Sequence, residues 1–187
     1  MTLPLSARET VRYVPRDHLG DDVPPTFLLA VPTVLARAQW RREVAAAGAR
    51  YPSDEVLIEA LKAGIGRVVE ASQQEELLAL VEEWAVTEPS ERPADLGRRL
   101  TEIERAVRLH DLRYARLEAD RFYWLAVAPL KAFQLFVIGW ENLDLAYEKV
   151  NGQVSEASLA ALPEALVTEV GFHAIALMSP TEGQEKN

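Results

Sequence analysis

Apolar and aromatic residues recur along the middle of the chain at alternating steps of four and three positions. The members of this series are Leu96, Leu100, Ile103, Val107, His110, Tyr114, Leu117, Arg121 and Trp124. Only His110 and Arg121 are neither apolar nor aromatic, and the spacing places the series on one side of a helix, close to a coiled-coil seam. The pattern predicts one long helix that starts near Pro93 and continues to Val127, before Pro129 kinks or ends it.

An almost uninterrupted apolar block follows this series, from Leu125 to Trp140. The block is 16 residues long and contains a proline, a lysine and a glutamine. A helix needs about 20 apolar residues to span a bilayer, so the block is too short for that role. It predicts instead a buried helix that covers Leu130 to about Leu145.

Two short runs near the N-terminus have the composition of strands. They are Thr10 to Val14, in which side chains of alternating position share a face, and the apolar run Thr26 to Val31. The polar connection between them contains Gly20, Pro24 and Pro25, which favour turns. The two runs therefore predict a β-hairpin or small sheet.

Capping residues predict the helices that follow. Thr33 is placed to cap a helix that stops at Gly48, and Ser53 is placed to cap the next one. A capping box, with Ser72 at the cap and Glu75 three residues later, predicts the start of a third helix.

The clearest linker in the chain is the segment of residues 88–93, Glu-Pro-Ser-Glu-Arg-Pro. It divides the sequence into residues 1–88, with the hairpin and the first helices, and residues 94–187, with the remaining helices. The alternative is that the whole chain forms one continuous domain.

A last helix is predicted from Pro163 to Ser179-Pro180, with a loose tail after it. The fold class expected is mostly α with a small N-terminal β-hairpin (α+β), a multi-helix bundle that contains one long helix.

Composition narrows the function classes further. Hydrophobic residues make up 49% of the 187 residues, enough for a sizeable core, and the formal net charge is −9. A phosphate-backbone binder needs a basic face, so nucleic acid is not an expected partner. The chain has no cysteine and its N-terminus does not resemble a signal peptide, which together favour a cytoplasmic protein that does not bind membranes.

Candidate catalytic chemistry is sparse. His18, His110 and His173 have no second histidine at ligand spacing, and a core or interface role is favoured over a metal ligand or base for His110 and His173. The many carboxylate pairs fit solvated helix faces, and Gly64-Ile65-Gly66 lacks the third glycine and the lysine of a phosphate loop. The sequence therefore predicts no catalytic, cofactor or metal site, and no enzyme.

The aromatic residues after position 120 are the strongest remaining functional signal. Three consecutive aromatic residues at positions 122–124 cannot all face one way on a helix, so some of them meet a second surface. Burial in the core is the default interpretation, and a groove for a protein partner is the alternative. The partner-binding residues predicted under that alternative are Arg121, Phe122, Trp124, Phe133, Phe136 and Trp140, since arginine and aromatic residues are enriched at binding hot spots.

Short segments at the two ends of the chain resemble the tail assembly chaperones of long-tailed bacteriophages. The first is the extended stretch Pro25 to Thr33 with the arginine-rich helix Arg37 to Glu43 after it. The second is the helix that starts at Leu162-Pro163-Glu164 and contains Gly171-Phe172, together with the polar C-terminal end from Ser179 to Asn187. Between them the segments cover about the first quarter and the last sixth of the sequence.

The resemblance implies a small helical protein in the cytoplasm of an infected host, without catalytic activity. Such proteins bind the tape measure protein, a long and often sticky helical chain, and keep it soluble while tail tube subunits polymerise around it. An acidic helical protein with an apolar groove suits that role.

Two other functions are compatible with the same sequence. A structural neck or tail completion protein of the virion would use the apolar block as a permanent subunit interface, and a homo-oligomer is open under either interpretation. The third hypothesis is an enzyme of unknown class that uses His110 with a nearby acid.

Overall fold

The computed structural model of the protein describes residues 9–178, so the predicted helix end at Ser179-Pro180 and the predicted tail lie outside the described residues. The fold class is confirmed, because the structure is mostly helical with a small N-terminal antiparallel hairpin. The chain forms two compact units. Unit 1 takes the chain up to Ala49 and again from Trp124 onward, and unit 2 is Arg50–Tyr123. The predicted linker lies inside unit 2, where Pro89–Glu91 forms a short 3-10 turn.

The predicted hairpin of unit 1 is confirmed. Strand β1 (Thr10–Tyr13) pairs antiparallel with β2 (Thr26–Ala30), with Tyr13 opposite Phe27. Helix α1 (Val34–Ala46) follows, and the hydroxyl of Thr33 caps it by accepting the N–H of Ala36 at 3.1 Å. The chain then leaves the helix through Gly48, whose φ of +76° is unfavourable for residues with a side chain.

A third strand interrupts the helix that was predicted from Leu130 to about Leu145. That prediction holds as far as Phe136 and was wrong for the residues after it. Helix α5 (Leu112–Phe136) ends where β3 (Val137–Glu141) begins, and β3 pairs antiparallel with β2, with Trp140 opposite Phe27. Val137 is fully buried while its neighbour Ile138 is exposed, which is the alternation of a strand. The β-branched pair Val137-Ile138 favours the extended conformation, and Gly139 after it disfavours continuation of the helix.

The rest of unit 1 is a small hairpin and two helices. Strands β4 (Lys149–Val150) and β5 (Gln153–Val154) flank the predicted turn at Asn151-Gly152, whose φ values of +54° and +81° are those of a tight hairpin turn. Helices α6 (Glu156–Ala160) and α7 (Glu164–Ala176) follow, and α7 begins directly after Pro163 as predicted.

Apolar side chains from the sheet, the end of α5 and α7 form the core of unit 1. The buried members are Phe27, Leu29, Ala132, Phe133, Phe136, Val137, Val154, Leu162, Val167, Val170 and Ala174. Helix α7 approaches α5 closely at Gly171, where an added Cβ would lie 2.1 Å from the carbonyl oxygen of Pro129. Helix α5 continues through the fully buried Pro129 to Phe136, so the expectation that this proline could end the helix was wrong.

Unit 2 is built from α2 (Asp54–Val68), α3 (Ala71–Val86), α4 (Ala94–His110) and the part of α5 that precedes Trp124. The Ser53 hydroxyl caps α2 as predicted, by accepting the N–H of Val56. The predicted capping box was wrong. Helix α3 starts at Ala71, and no side chain caps it. The side-chain amide of Gln74, in the first turn of α3, instead donates to the carbonyl of Val69 at 2.8 Å. This hydrogen bond ties the start of α3 to the end of α2.

The single long helix predicted from Pro93 to Val127 is in fact two helices, α4 and α5, separated at Asp111. This residue has an extended backbone, and its carboxylate accepts the N–H of Tyr114 at 2.8 Å and the Nε–H of Arg67 at 2.6 Å. Asp111 is therefore the N-cap of α5. Arg108 bonds Glu118 at 3.1 Å, although ten residues of continuous helix would separate them by about 15 Å. The chain must turn back at Asp111.

The predicted apolar stripe does line the core of unit 2, despite the break. Its buried members from α4 and α5 are Leu96, Leu100, Ile103, Val107 and Tyr114. They pack with α2 and α3 residues, chiefly Ala60, Leu61, Ile65, Leu80 and Val81. His110 is exposed, so it is not a core residue.

Candidate binding groove in the helical unit

A cleft of about 730 Å³ opens within unit 2, between α2, α3, α4 and the start of α5. Leucine, isoleucine and valine side chains of α2, α3 and α4 supply its apolar lining: Leu57, Ile58, Leu61, Val81 and Leu100. Charged residues of α2, α4 and α5 join them, together with Arg92 from the connection between α3 and α4. We call this cleft the groove. Its volume lies in the range of specific binding sites on proteins, about 300–1,000 Å³.

Trp84 of α3 forms one wall of the groove and is held from two sides. The nearest point of α4 is Gly97, where an added Cβ would lie 3.6 Å from the indole ring. The guanidinium of Arg92 stands over the indole, 4.1 Å from its centre, and donates to the carbonyl of Thr87 at 3.0 Å. The cation–π contact and the absence of a side chain on α4 fix the ring against the helix behind it.

Ion pairs within unit 2 occupy most of the charged groups around the groove. Arg121 pairs with Asp54 and also donates to the hydroxyl of Tyr51 at 3.0 Å. Lys62 lies between Glu59 and Glu82, at 3.4 Å and 3.5 Å. These acids are already partly neutralised by cations of the same unit.

Glu104 of α4 differs from those acids. In the described residues no cation lies within ion-pair distance, 4.0 Å, of its carboxylate. Burial raises the pKa of Glu104, while the Tyr114 hydroxyl acts in the opposite direction. Burial also raises the pKa of Tyr114 well above its ordinary value, and the nearby charges of Glu104 and Glu118 add to that effect. The groove therefore contains one half-buried carboxylate that forms no ion pair in the described residues, although the charges of Arg108 and Arg121 lower its pKa from beyond that distance.

The residues predicted to bind a partner fall into both units. Arg121 and Phe122 lie on the part of α5 that belongs to unit 2. Arg121 lines the groove, and Phe122 is 60% exposed. Trp124 belongs to unit 1, where it packs on a small cluster that includes Val44 and Ala128.

The other three predicted partner residues lie in the core region of unit 1. Phe133 and Phe136 are fully buried, and Phe133 meets the ring of Phe27 edge to face at 5.8 Å. Trp140 is partly buried and donates its indole N–H to the carbonyl of Leu145 at 2.9 Å. A partner cannot reach Phe133 or Phe136 in this conformation, because the core of unit 1 already covers both rings.

Sequence reasoning missed two residues that give the groove its character. Trp84 was not among the predicted partner-binding residues, and Glu104 was one of the many carboxylates attributed to solvated helix faces. A signal for Glu104 was available, since it lies one turn after Leu100 and therefore beside the apolar stripe of α4. The groove itself depends on how four helices pack, which spacing within one helix does not report.

The histidines do not converge on a site. The ring of His18 bonds Asp21 at 2.8 Å, and that of His173 stacks on Tyr13 with 4.0 Å between ring centres. In residues 9–178 no three histidine or acidic side chains come together as metal ligands would. Within the same residues, no helix has the length and apolar character required to cross a membrane.

Comparisons with protein-family models, with curated proteins and with solved structures find no match to this chain. The resemblance to tail assembly chaperones thus stays a prediction from short segments. What the fold and the site define directly is a helical unit with a partly apolar groove, one half-buried acid and paired charges at its edge.

Proposed function

We propose that the groove of unit 2 binds an amphipathic helical segment of a partner protein. The observation that supports this proposal is the composition of the groove, in which aliphatic side chains and Trp84 are lined by charged residues. Helix-in-groove recognition uses this arrangement, because apolar side chains at steps of three and four residues enter the floor while the polar face of the ligand helix stays in water.

The charge of the groove specifies the ligand further. Asp54, Glu59 and Glu82 form ion pairs with cations of unit 2, whereas Glu104 forms none in the described residues. A lysine or arginine among the apolar anchors of the ligand would neutralise that half-buried carboxylate and compensate for the loss of water around it. The ligand is therefore a helix whose apolar face carries one basic residue.

The same properties support a role as a phage tail assembly chaperone, a binding protein without catalytic activity in the host cytoplasm. Its expected client, the tape measure protein, consists of long and often sticky helices, and its other expected partners are the tail tube subunits. A groove that covers short amphipathic segments would keep such a client soluble by binding it before it folds into the tail.

Co-expression with the client tests this function. The protein should keep the tape measure protein encoded beside its gene in the soluble fraction, and both should elute together. Replacing Ala85, an exposed groove residue, with tryptophan should fill the groove and abolish that effect. Ala79→Trp, an exposed position of the same helix outside the groove lining, is the matched control and should keep the client soluble as well as the original protein does.

Three results would overturn the proposal. They are adjacent genes that encode no long helical protein, a client that remains insoluble, and an Ala85→Trp variant that protects the client as well as Ala79→Trp does. If the purified protein instead assembles into rings or tubes that incorporate the tail proteins stoichiometrically, a structural virion role replaces the chaperone.

A further inference from the structure

The corner where α4 turns into α5 carries an exposed apolar pair surrounded by arginines. Leu109 and Leu112 are 70% and 65% exposed. Arg105 precedes Leu109 by one turn of α4, and Arg116 follows Leu112 by one turn of α5, so each leucine has an exposed arginine on its own face. We call residues 105–116 the basic corner.

The positive charge of the basic corner is not neutralised locally. Arg105, Arg113 and Arg116 form no ion pair within the described part of the chain. The one acid of the corner, Asp111, is buried and binds Arg67. In a protein with a net charge of −9, an exposed cationic surface with two leucines at its centre is unusual.

A second surface of unit 2 has the opposite charge. Residues 70–91 contain seven acids, Glu70, Glu75, Glu76, Glu82, Glu83, Glu88 and Glu91, and no lysine or arginine. Glu75, Ala79 and Glu83 are exposed and follow one another at single turns of α3, so they share one face. Val86 is 83% exposed and lies three residues after Glu83. We call these four residues the acidic face.

The two surfaces are complementary in both charge and apolar content. The leucines of the corner can pack on Ala79 and Val86, while the arginines at its two ends reach Glu75 and Glu83. Two basic corners cannot meet one another without repulsion, and neither can two acidic faces. Each surface therefore requires the other one, on a different molecule.

We infer that the protein associates with itself by docking the basic corner of one copy on the acidic face of α3 of the next. Such a contact joins two different surfaces, so a pair of copies joined once leaves one surface of each kind available. The contacts either close, as a two-fold dimer or a larger ring, or continue into a filament, according to the rotation between copies. Association is favoured at low ionic strength, because salt screens exposed charges beyond about 10 Å at 0.1 M.

Sedimentation velocity over a range of protein concentrations tests the contact. The original protein should form dimers or larger species at low salt and dissociate as salt is added. Two charge-reversal variants each keep one surface intact: Arg105→Glu with Arg116→Glu, and Glu75→Arg with Glu83→Arg. Each alone should weaken self-association by about tenfold or more, since a tenfold change corresponds to only about 1.4 kcal/mol.

Mixing the two variants provides the decisive arm. The corner-reversed variant has two acidic surfaces and the face-reversed variant has two basic ones, so each should associate with the other while neither associates with itself. A single chain with all four substitutions should again associate with itself. All four positions are exposed, and far-ultraviolet circular dichroism should find the helices intact in every variant.

Several results would overturn the inference. They are a monomer at every concentration in low salt, association that neither reversal weakens, and a mixture that stays monomeric although both variants are folded. A two-fold dimer that persists in both charge-reversal variants would also contradict it, because a dimer built from two corner–face contacts would lose both of them. Leu109→Ser with Leu112→Ser should weaken association without changing the charge, which separates docking from general charge attraction.

The inference stands independently of the groove. Ala79→Trp enlarges a side chain on the acidic face and should impair self-association but not client binding, whereas Ala85→Trp should do the reverse.

Discussion

The two units use aromatic and apolar side chains in opposite ways. In unit 1 the ring of Phe27 meets those of Phe133 and Trp140 edge to face, at 5.8 Å and 6.1 Å, and the rings fill the core. In unit 2 the side chains of Trp84 and Tyr114 border a groove of about 730 Å³. The difference teaches that a sequence rich in aromatic residues does not by itself identify a binding surface. The apolar run after position 120 is the most hydrophobic part of the sequence, and most of it belongs to a core.

The largest expected effect follows from that difference. Phe133→Ala should destabilise the protein by about 4 kcal/mol, because it removes a fully buried ring and leaves a cavity, whereas Phe122→Ala at an exposed position should change stability by less than about 0.5 kcal/mol. Denaturant unfolding of the two variants measures both values. Equal losses would mean that Phe122 is as well packed as Phe133 and that the comparison between the units is wrong.

Substitutions at two glycines of α2 test how closely α2 packs on α4 in unit 2. A Cβ at Gly64 would lie 2.3 Å from a methyl carbon of Val107, which a stiff β-branched side chain cannot easily move, while a Cβ at Gly66 would meet nothing within 4 Å. Gly64→Ala should therefore destabilise by about 2 kcal/mol through overpacking, and Gly66→Ala should stabilise by about 0.5–1 kcal/mol through helix propensity. Thermal unfolding distinguishes the signs, and the same sign for both variants would contradict the placement of α2 on α4.

Asp111 tests the corner between α4 and α5. Asp111→Ala removes the N-cap of α5 and the partner of Arg67, and it should destabilise by about 1.5 kcal/mol. The hydrogen bond from Arg67, the N–H of Tyr114 and the charge of Arg67 lower the pKa of Asp111.

The pH dependence of that loss has a definite sign. Because the pKa of Asp111 is lower in the folded state, its stabilisation is complete above the unfolded-state pKa, about 3.9, and disappears as the pH falls through the lower folded value. The difference in unfolding free energy between the original protein and Asp111→Ala should therefore be constant near neutral pH and shrink in acid. A difference that grows in acid would rule out the ionised cap.

Substitution of Glu104 has the smallest expected effect on stability, and its pH dependence has the opposite sign to that of Asp111. Burial raises the pKa of its carboxyl group, so ionisation disfavours the folded state as the pH rises above the unfolded-state value. Glu104→Gln should stabilise the free protein slightly at neutral pH, with an advantage that vanishes in acid. The same variant should bind a basic ligand helix more weakly, so stability and binding should move in opposite directions. If both fell together, Glu104 would be a structural residue of unit 2 and not part of a binding site.

The sequence predicted the local features of the fold well, and for physical reasons. The hairpin, the caps at Thr33 and Ser53 and the turn at Asn151-Gly152 depend on a few adjacent residues, whose preferences act whatever the rest of the chain does. The apolar stripe of α4 also faces the core as expected.

Features that depend on distant partners were not predictable in the same way. The apolar stripe runs in phase through residue 111, and the break there is stabilised in part by Arg67, which is 44 positions away. Strand β3 pairs with β2, with Phe27 opposite Trp140. Its β-branched pair, Val137-Ile138, is a local signal for a strand, but so short an apolar run does not by itself distinguish a strand from the end of a buried helix. The groove is likewise a property of four packed helices, and only the position of Glu104 beside the stripe hinted at it.

The most direct test of the groove is binding of a designed helical peptide, labelled with fluorescein, that has leucines on one face and a single lysine among them. Fluorescence anisotropy should report binding to the original protein and to Ala79→Trp, and loss of binding to Ala85→Trp. Exchanging the lysine for norleucine should weaken binding to the original protein but not to Glu104→Gln. Equal affinity for Ala79→Trp and Ala85→Trp, or no binding to the original protein, would contradict the account.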